Sequence, residues 1–369
     1  MNILFFSHQA DFIYGGEICS LEVMRLLKKK HKVIFAGPAG LYSEAARKIV
    51  PTYEVPTIQF SRNWKIVLPL LLAWIKSLIV LKQIIAQEKI EILHCTSLKA
   101  MVYARYLPLL SNIKIVWHHY DILPANAQNH RWLCWLSRTA DLILTPSLAA
   151  KNALIESGIP EQQIQVVYNG FSLQSKIKKV SYTPAEKIKL VMVGEVSERK
   201  GVDRLKPILN FLSHEQQLQM QIDIYGSALS NPIYADQVQN DLAPWITQEI
   251  VNFKGRRENI GEILPNYDCL ILLSRQDPLP TVIIEAFFAG IPVLATNVGG
   301  VPEMVISGKN GFICKHEADF AEQIEAFLQD RTPLQKLGQE ARHTAVEKFS
   351  AQQMVSSLET AYHSLAIPS

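Results

Sequence analysis

Short apolar runs rich in Val, Ile and Leu alternate along this chain with longer stretches whose apolar positions recur at helical spacing. The first pattern predicts buried strands and the second amphipathic helices. A strand spans Asn2–Ser7 and enters a loop, Gln9–Gly16, that ends in Gly15-Gly16. A helix follows from about Glu17 to Lys30, with Ile18, Leu21, Met24 and Leu27 on one face. Lys28-Lys29-Lys30 fits its carboxyl end, where cations are favoured. Further strands are predicted at Lys32–Ala36, Ile90–His94, Ile113–His118, Leu142–Thr145 and Gln165–Tyr168. Residues 172–186 are polar, basic and Pro-containing and break the alternation, as a linker does. A second series then runs through Lys189–Val193, Gln221–Tyr225, Ile250–Lys254, Cys269–Leu273, Val293–Ala295 and Gly311–Ile313. Strands alternating with helices imply parallel sheets covered on both faces. The expected fold class is α/β, with two Rossmann-like domains at 1–175 and 176–349 that share no sequence period.

One stretch stands apart. Between Ile66 and Leu81 only Pro69, Lys76 and Ser77 interrupt an apolar run. It falls short of the ~20 residues that cross a bilayer. Wound as a helix, it places Lys65, Lys76, Gln83 and Gln87 on one narrow stripe. Such a helix is either buried between the sheet and its neighbours or lies on a membrane surface through 66–81; it is not expected to span.

Composition narrows the class. A chain of 369 residues suits two cores better than one. With 48% hydrophobic and 19% charged residues it is a folded globular protein. A net charge of +3 gives no argument for nucleic acid as a partner. The five cysteines are scattered, without a CxxC pair, and read as buried free thiols in a reducing compartment. Met1-Asn-Ile-Leu-Phe-Phe enters a strand at once, without a charged-then-apolar leader, so the expected location is cytoplasmic.

The densest candidate chemistry lies in residues 274–303. There a strand leads into a Pro-punctuated loop holding Asp277, and a helix opens near Thr281, carries Glu285 and closes at Gly290-Ile-Pro. A second strand then runs into Gly299-Gly300. Acids and glycines thus gather at the carboxyl ends of strands, where open α/β sheets bind ligands. The amino terminus of a helix offers unpaired N–H groups to an anion. Two acids for hydroxyls around an anion cradle suggest a phosphorylated carbohydrate.

Gly194-Glu-Val-Ser-Glu-Arg-Lys200-Gly201 follows the first strand of the second series. Gly194 permits a tight turn, and Lys200-Gly201 brings a cation and open backbone to the next helix; standing alone, the stretch also reads as a solvated charged loop. Gly16 permits close approach of a ligand or simply turns the chain. Val116-Trp117-His118-His119-Tyr120-Asp121 puts two imidazoles at a sheet edge, but adjacent histidines point opposite ways off a strand, which weighs against a metal. There is no GxGxxG, GxxxxGK[ST], GxSxG, HExxH or DxD motif.

Together these residues resemble the retaining nucleotide-sugar glycosyltransferases of the GT-B fold, the group called family four or glycosyltransferases group 1. The resemblance covers nearly the whole chain. It is strongest from Tyr267-Asp268 through Asp277, Glu285, Ala286, Gly290-Ile-Pro-Val, Gly299-Gly300-x-Pro-Glu303 and Asn310-Gly311. Upstream it takes in Gly15-Gly16, Trp117-His-x-x-Asp121, Asn169-Gly170 and the Gly194–Gly201 stretch. It implies two domains facing across a cleft, with a last helix (about Ala351–Leu365) returning to the first domain. It also implies transfer of a sugar from a nucleotide-diphosphate-sugar to a hydroxyl of an unidentified glycan or lipid-linked acceptor, in polysaccharide or glycolipid synthesis. Lys200 and the N–H groups of Pro280–Val282 (Thr281 and Val282 donating) would hold the diphosphate, with Gly16, Gly194 and Arg199 around it. Glu285 would accept from the ribose, Asp277 would hold the donor sugar, and His118 would act near donor and acceptor. No metal or other cofactor is then required.

The chain departs from the pattern in three ways. Glu195 and Arg199 stand with their charges exchanged relative to the family, and a pair between them that still positions Lys200 is the expectation. Asp277 replaces the usual Glu, which bears on the sugar accepted. Ser172 stands where the pattern has Asp. The segments 37–64 and 95–130 carry no pattern that names the acceptor. A sugar-nucleotide epimerase or a non-catalytic sugar-nucleotide-binding homologue are the rival readings.

Overall fold

The computed structural model describes residues 1–10, 15–58, 67–124, 126–172, 187–228 and 231–365. Its chain forms two compact units: Met1–Ser172 with Ala351–Ser369, and Leu173–Ser350. The linker expected at 172–186 lies outside the described residues except for Ser172.

The first unit is built on seven parallel strands: β1 (Asn2–Phe6), β2 (Lys32–Gly37), β3 (Thr52–Glu54), β4 (Ile92–Cys95), β5 (Lys114–His118), β6 (Leu142–Thr145) and β7 (Ile164–Val166), in the order β3-β2-β1-β4-β5-β6-β7. Both faces are covered, because successive side chains of a strand point to opposite sides. Leu4 and Phe6 of β1 join one core with Leu81, Ile84, Met101 and Leu136. Ile3 and Phe5 join the other with Cys19, Val23, Met24, Leu358 and Tyr362. Burying one such aliphatic or aromatic side chain contributes about 1.5–3 kcal/mol. The second core is therefore shared between helix Gly15–Leu27 and helix Ala351–His363, from opposite ends of the sequence.

The second unit has six parallel strands: β8 (Ile188–Val193), β9 (Met220–Tyr225), β10 (Val251–Phe253), β11 (Cys269–Leu272), β12 (Val293–Thr296) and β13 (Gly311–Cys314), in the order β10-β9-β8-β11-β12-β13. Helix Thr281–Ala289, apolar nearly all round, packs under helix Thr332–Lys348.

The parallel α/β architecture follows the pattern, and the observed strand ends shift by one or two residues. Three elements correct it. Strand β3, Thr-Tyr-Glu, was not foreseen; it is a half-exposed edge with no apolar run to announce it. The first helix stops at Leu27, so the three lysines lie just beyond it, and Lys30 reaches Glu359 of the last helix at 3.0 Å. The apolar helix runs Val67–Glu88, seven residues past the expected end. By length and composition alone it could cross a membrane. Its inner side, however, holds Leu78, Leu81, Ile84 and Ile85 in the core, and Ser77 donates to the Pro56 carbonyl, so it is a layer of the first unit.

Candidate functional site

In each sheet the strand order reverses once, and loops leaving the strands on either side of that point form the natural ligand crevice. In the second unit the point falls between β8 and β11. From β8 the chain turns through Gly194 into the single 3-10 turn Glu198–Lys200. Gly201 caps that turn with φ 69°, and a Cβ there would lie 2.2 Å from the Leu273 carbonyl oxygen. Only glycine lets the two exit loops touch this way. On the far side, Gly299 at φ 50° comes equally close to Asp277, whose carbonyl would be 1.9 Å from a Cβ at Gly299.

This double constraint brings the predicted residues together. Lys200 Nζ lies 2.6 Å from Asp277 Oδ2, and the carboxylate is buried. Such a charge-assisted bond is the strong kind. Arg199 approaches the same oxygen at 4.0 Å and donates to the Gln276 carbonyl at 3.4 Å. The expected Glu195–Arg199 pair does not form: Arg199 points across to β11's loop, and Glu195 stays on β8's side of a small pocket lined by Gly194, Lys200, Leu273 and Ser274. Two cations thus converge on one buried acid.

Pro280 opens helix Thr281–Ala289, and Gly290 closes it with φ 75°. The Ile283 N–H is taken by the Pro280 carbonyl, leaving Thr281 and Val282 as the forward-facing donors. Val282, Ile283, Ile284, Ala286 and Phe287 are buried. Thr281 and Glu285, one turn apart, occupy the remaining half-buried face. Burial raises the Glu285 carboxyl to about 7. By accessible surface the residue is only half-buried. The backbone and apolar atoms packed around the carboxyl desolvate it more than that fraction implies.

Other motif residues prove to be scaffold. Asp268 accepts from the Lys189 N–H at 2.8 Å, and Tyr267 donates to the buried Asp223 at 2.6 Å. Asn310 ties the Met304 carbonyl and Thr344 while accepting from the Ile306 N–H. Sequence reasoning missed Arg275. Its guanidinium grips Asp203 at 2.6 and 2.8 Å and donates to the Glu198 carbonyl at 2.8 Å, while its N–H meets the Arg199 carbonyl at 2.8 Å. It stitches the two exit loops together. Its place at the exit of β11 was the available signal.

In the first unit, His118 ends β5 and is buried. It stacks on Tyr120, while His119 turns to the other side against Trp117, as alternation requires. His118 Nδ1 lies 3.0 Å from the Tyr120 hydroxyl and 3.3 Å from His94 Nε2. His94 Nδ1 in turn lies 2.7 Å from the Tyr362 hydroxyl. Tyr362 is fully buried, so its proton belongs on that bond. His94 therefore accepts at Nδ1 and carries its hydrogen on Nε2, aimed at His118 Nδ1; by the same logic His118 bears its hydrogen on Nε2. That Nε2 is buried and without a partner. Burial, with His94 and His119 nearby, holds the His118 imidazole well below its ordinary pKa, so it is neutral. His94 and Tyr362 were also missed: the second comes from the far end of the chain. A Cβ at Gly16 would meet nothing within 4 Å, so the fold itself does not demand glycine there. Residues 11–14 of its loop lie outside the described residues.

Residues 13–175 match the family described as Glycosyltransferase Family 4, and residues 174–344 match that described as Glycosyl transferases group 1. The amino-terminal part of the chain thus matches one glycosyltransferase family and the carboxyl-terminal part another, each over somewhat less than half of the chain. Among curated relatives, it is 26% identical over 233 residues to N-acetyl-alpha-D-glucosaminyl L-malate synthase of Bacillus anthracis, covering 61% of this chain and 60% of that one. The chain spans about 60% of the length of the curated relatives it matches. In fold it is similar to the Anabaena protein HepE in complex with UDP and glucose, with a TM-score of 0.82 and 20% identity over 99% of this chain and 100% of that one. It is also similar to a glycosyltransferase from Rickettsia africae, with a TM-score of 0.83 and 19% identity over the whole of both chains. Both are GT-B proteins in architecture: two parallel-sheet α/β domains.

Proposed function

We propose that this chain transfers a sugar from a nucleotide-diphosphate-sugar to an acceptor hydroxyl with retention at the anomeric carbon, in the synthesis of a cell-envelope polysaccharide or glycolipid. The observation that carries the reading is the Lys200–Asp277 pair at the switch point of the second sheet, with Arg199 behind it. Breaking the bond to the anomeric carbon leaves a diphosphate, so the work of the site is to stabilise developing negative charge. Lys200 and the Thr281 and Val282 N–H groups are the donors for it, and Asp277 holds Lys200 in place until the anion arrives. Asp277 then accepts from the donor sugar's hydroxyls and Glu285 from the ribose. His118 offers a neutral N–H at Nε2 to a hydroxyl or developing anion. With cations and helix end serving the diphosphate, no metal is assigned a role. No side chain among those described is placed as a covalent nucleophile, so attack from the leaving-group face fits the site. Unpaired cysteines support a cytoplasmic setting.

The test is incubation with a panel of nucleotide sugars, beginning with UDP-glucose because HepE holds UDP and glucose. Release of nucleotide diphosphate that rises with added acceptor, and a product of unchanged anomeric configuration by NMR, is the expected result. An inverted product removes retention. An isomerised donor, or binding without turnover, removes transfer.

A further inference from the structure

The outward face of helix Val67–Glu88 has no part in that reaction. Between Leu68 and Ile79 the helix exposes Leu68, Leu71, Leu72, Ile75 and Ile79 at 43–65% while its inner side is locked in the core. This apolar surface continues onto neighbouring elements of the first unit. Trp74 meets the Tyr106 ring edge-on at 5.3 Å, and next to Tyr106 are Leu109 and Leu110, exposed at 80% and 45%. The Arg105 guanidinium stacks over both Tyr106, at 5.7 Å, and Trp135, at 4.8 Å. Trp135 contacts the exposed Trp132 at 5.3 Å. A continuous row of Trp, Tyr and Arg thus borders the apolar patch, and these are the side chains that sit at the headgroup level of a bilayer.

Charge chooses the occupant. The segments that build this face, 67–88, 92–113 and 126–140, carry Lys76, Lys82, Lys99, Arg105, Arg131 and Arg138 against a single acid, Glu88, whose carboxylate is engaged by Lys32 at 2.8 Å. A symmetric dimer through this face would set those cations against their own copies. A span across the bilayer would pull Leu78, Leu81, Ile84 and Ile85 from the core. We propose that this face seats the first unit on a bilayer surface rich in anionic lipid, with the leucines and Ile75 dipping about 5–10 Å into the boundary between headgroups and chains. The polar end of the helix, Lys82, Gln83 and Gln87, stays in the headgroup layer.

The full chain is tested by flotation with vesicles of phosphatidylcholine alone or mixed with phosphatidylglycerol. It should float with the mixed vesicles at about 0.1 M salt and largely lose them near 0.5 M, where screening shortens the reach of surface charge. Binding to phosphatidylcholine alone should be at least about tenfold weaker. The double variant Leu72→Glu/Ile75→Glu and the charge variant Lys76→Glu/Lys82→Glu, each checked by near-UV circular dichroism, should each weaken flotation about tenfold or more. No flotation with mixed vesicles, or flotation unchanged in both variants, overturns the proposal. A concentration-dependent dimer that Leu72→Glu/Ile75→Glu dissolves, without vesicle binding, assigns the face to a second copy instead.

Discussion

At the scale of single residues, the proposed reaction sets Asp277 and the incoming diphosphate in competition for the ammonium group that Asp277 now holds. Replacing it should separate the two tasks of the site. Asp277→Asn is expected to bind free nucleotide diphosphate about tenfold more tightly, since a charge-assisted bond is worth roughly 1.5–3 kcal/mol. The same variant should transfer sugar at least ~100-fold more slowly; calorimetry and initial rates report the two effects separately. Lys200→Ala should lower both, with kcat/KM falling by about 10²–10³. Glu285 adds a dependence on pH. Its carboxyl is raised from the ordinary 4.5 to about 7, so it holds a proton below that value and becomes a two-oxygen acceptor above it. Donor KM should therefore fall as pH rises through about 7, and Glu285→Gln should flatten the profile. Folding stability responds the other way. The unfolded carboxyl ionises first, so Glu285 weakens the fold progressively as pH rises from 4.5 to about 7. His118 gives no such limb, because burial keeps it neutral. Tyr362→Phe removes the hydroxyl that fixes the His94 and His118 tautomers. It should lower kcat by about tenfold while leaving donor KM unchanged, and that split distinguishes loss of positioning from general loosening.

At the scale of elements, the site depends on two loops held in contact by glycine. Gly201→Ala puts a methyl into a left-handed turn and into the Leu273 carbonyl, and should cost about 1–3 kcal/mol by thermal unfolding, with donor binding lost in proportion. Most of this construction was legible in the sequence. Gly194, Lys200, Asp277 and Glu285 sit at strand exits and a helix start, and such positions are marked by local pattern. What was not legible depends on partners far away in the chain. Arg199 was expected to pair with Glu195, its near neighbour, but the approach of β11's loop offered it a buried acid instead. The His94–Tyr362 bond joins residues 268 positions apart, and no spacing rule reaches that far. Strand β3 was hidden for a different reason: a half-exposed edge strand needs no apolar run. The length of helix Val67–Glu88 was underestimated because its second half switches from an all-apolar run to an amphipathic one. Ile84 and Ile85 face inward while Lys82, Gln83 and Gln87 face out.

At the scale of the molecule, two parallel sheets were readable because each strand buried on both faces is a nearly unbroken apolar run. The ownership of the last helix was not a matter of pattern at all. Met354, Val355, Leu358 and Tyr362 complete a core that is otherwise set down by residues between Ile3 and Val167. Removing residues 351–369 should leave the second unit's unfolding transition in place and abolish that of the first, as followed by calorimetry.

That arrangement also fixes an order of events during synthesis. The central strand of the first unit leaves the ribosome among the earliest residues, yet the helix that covers it follows only after the whole second unit, residues 173–350, has been made. At about 5–20 residues per second this is a wait on the order of ten to thirty seconds. Throughout that interval Ile3, Phe5, Val23 and Met24 belong to an unfinished surface that a chaperone can hold or a neighbouring nascent chain can capture. Chains arrested at residue 350 should be cut readily by protease within 1–172 and resist it within the second unit; equal resistance in both would show that the early half closes without its final helix.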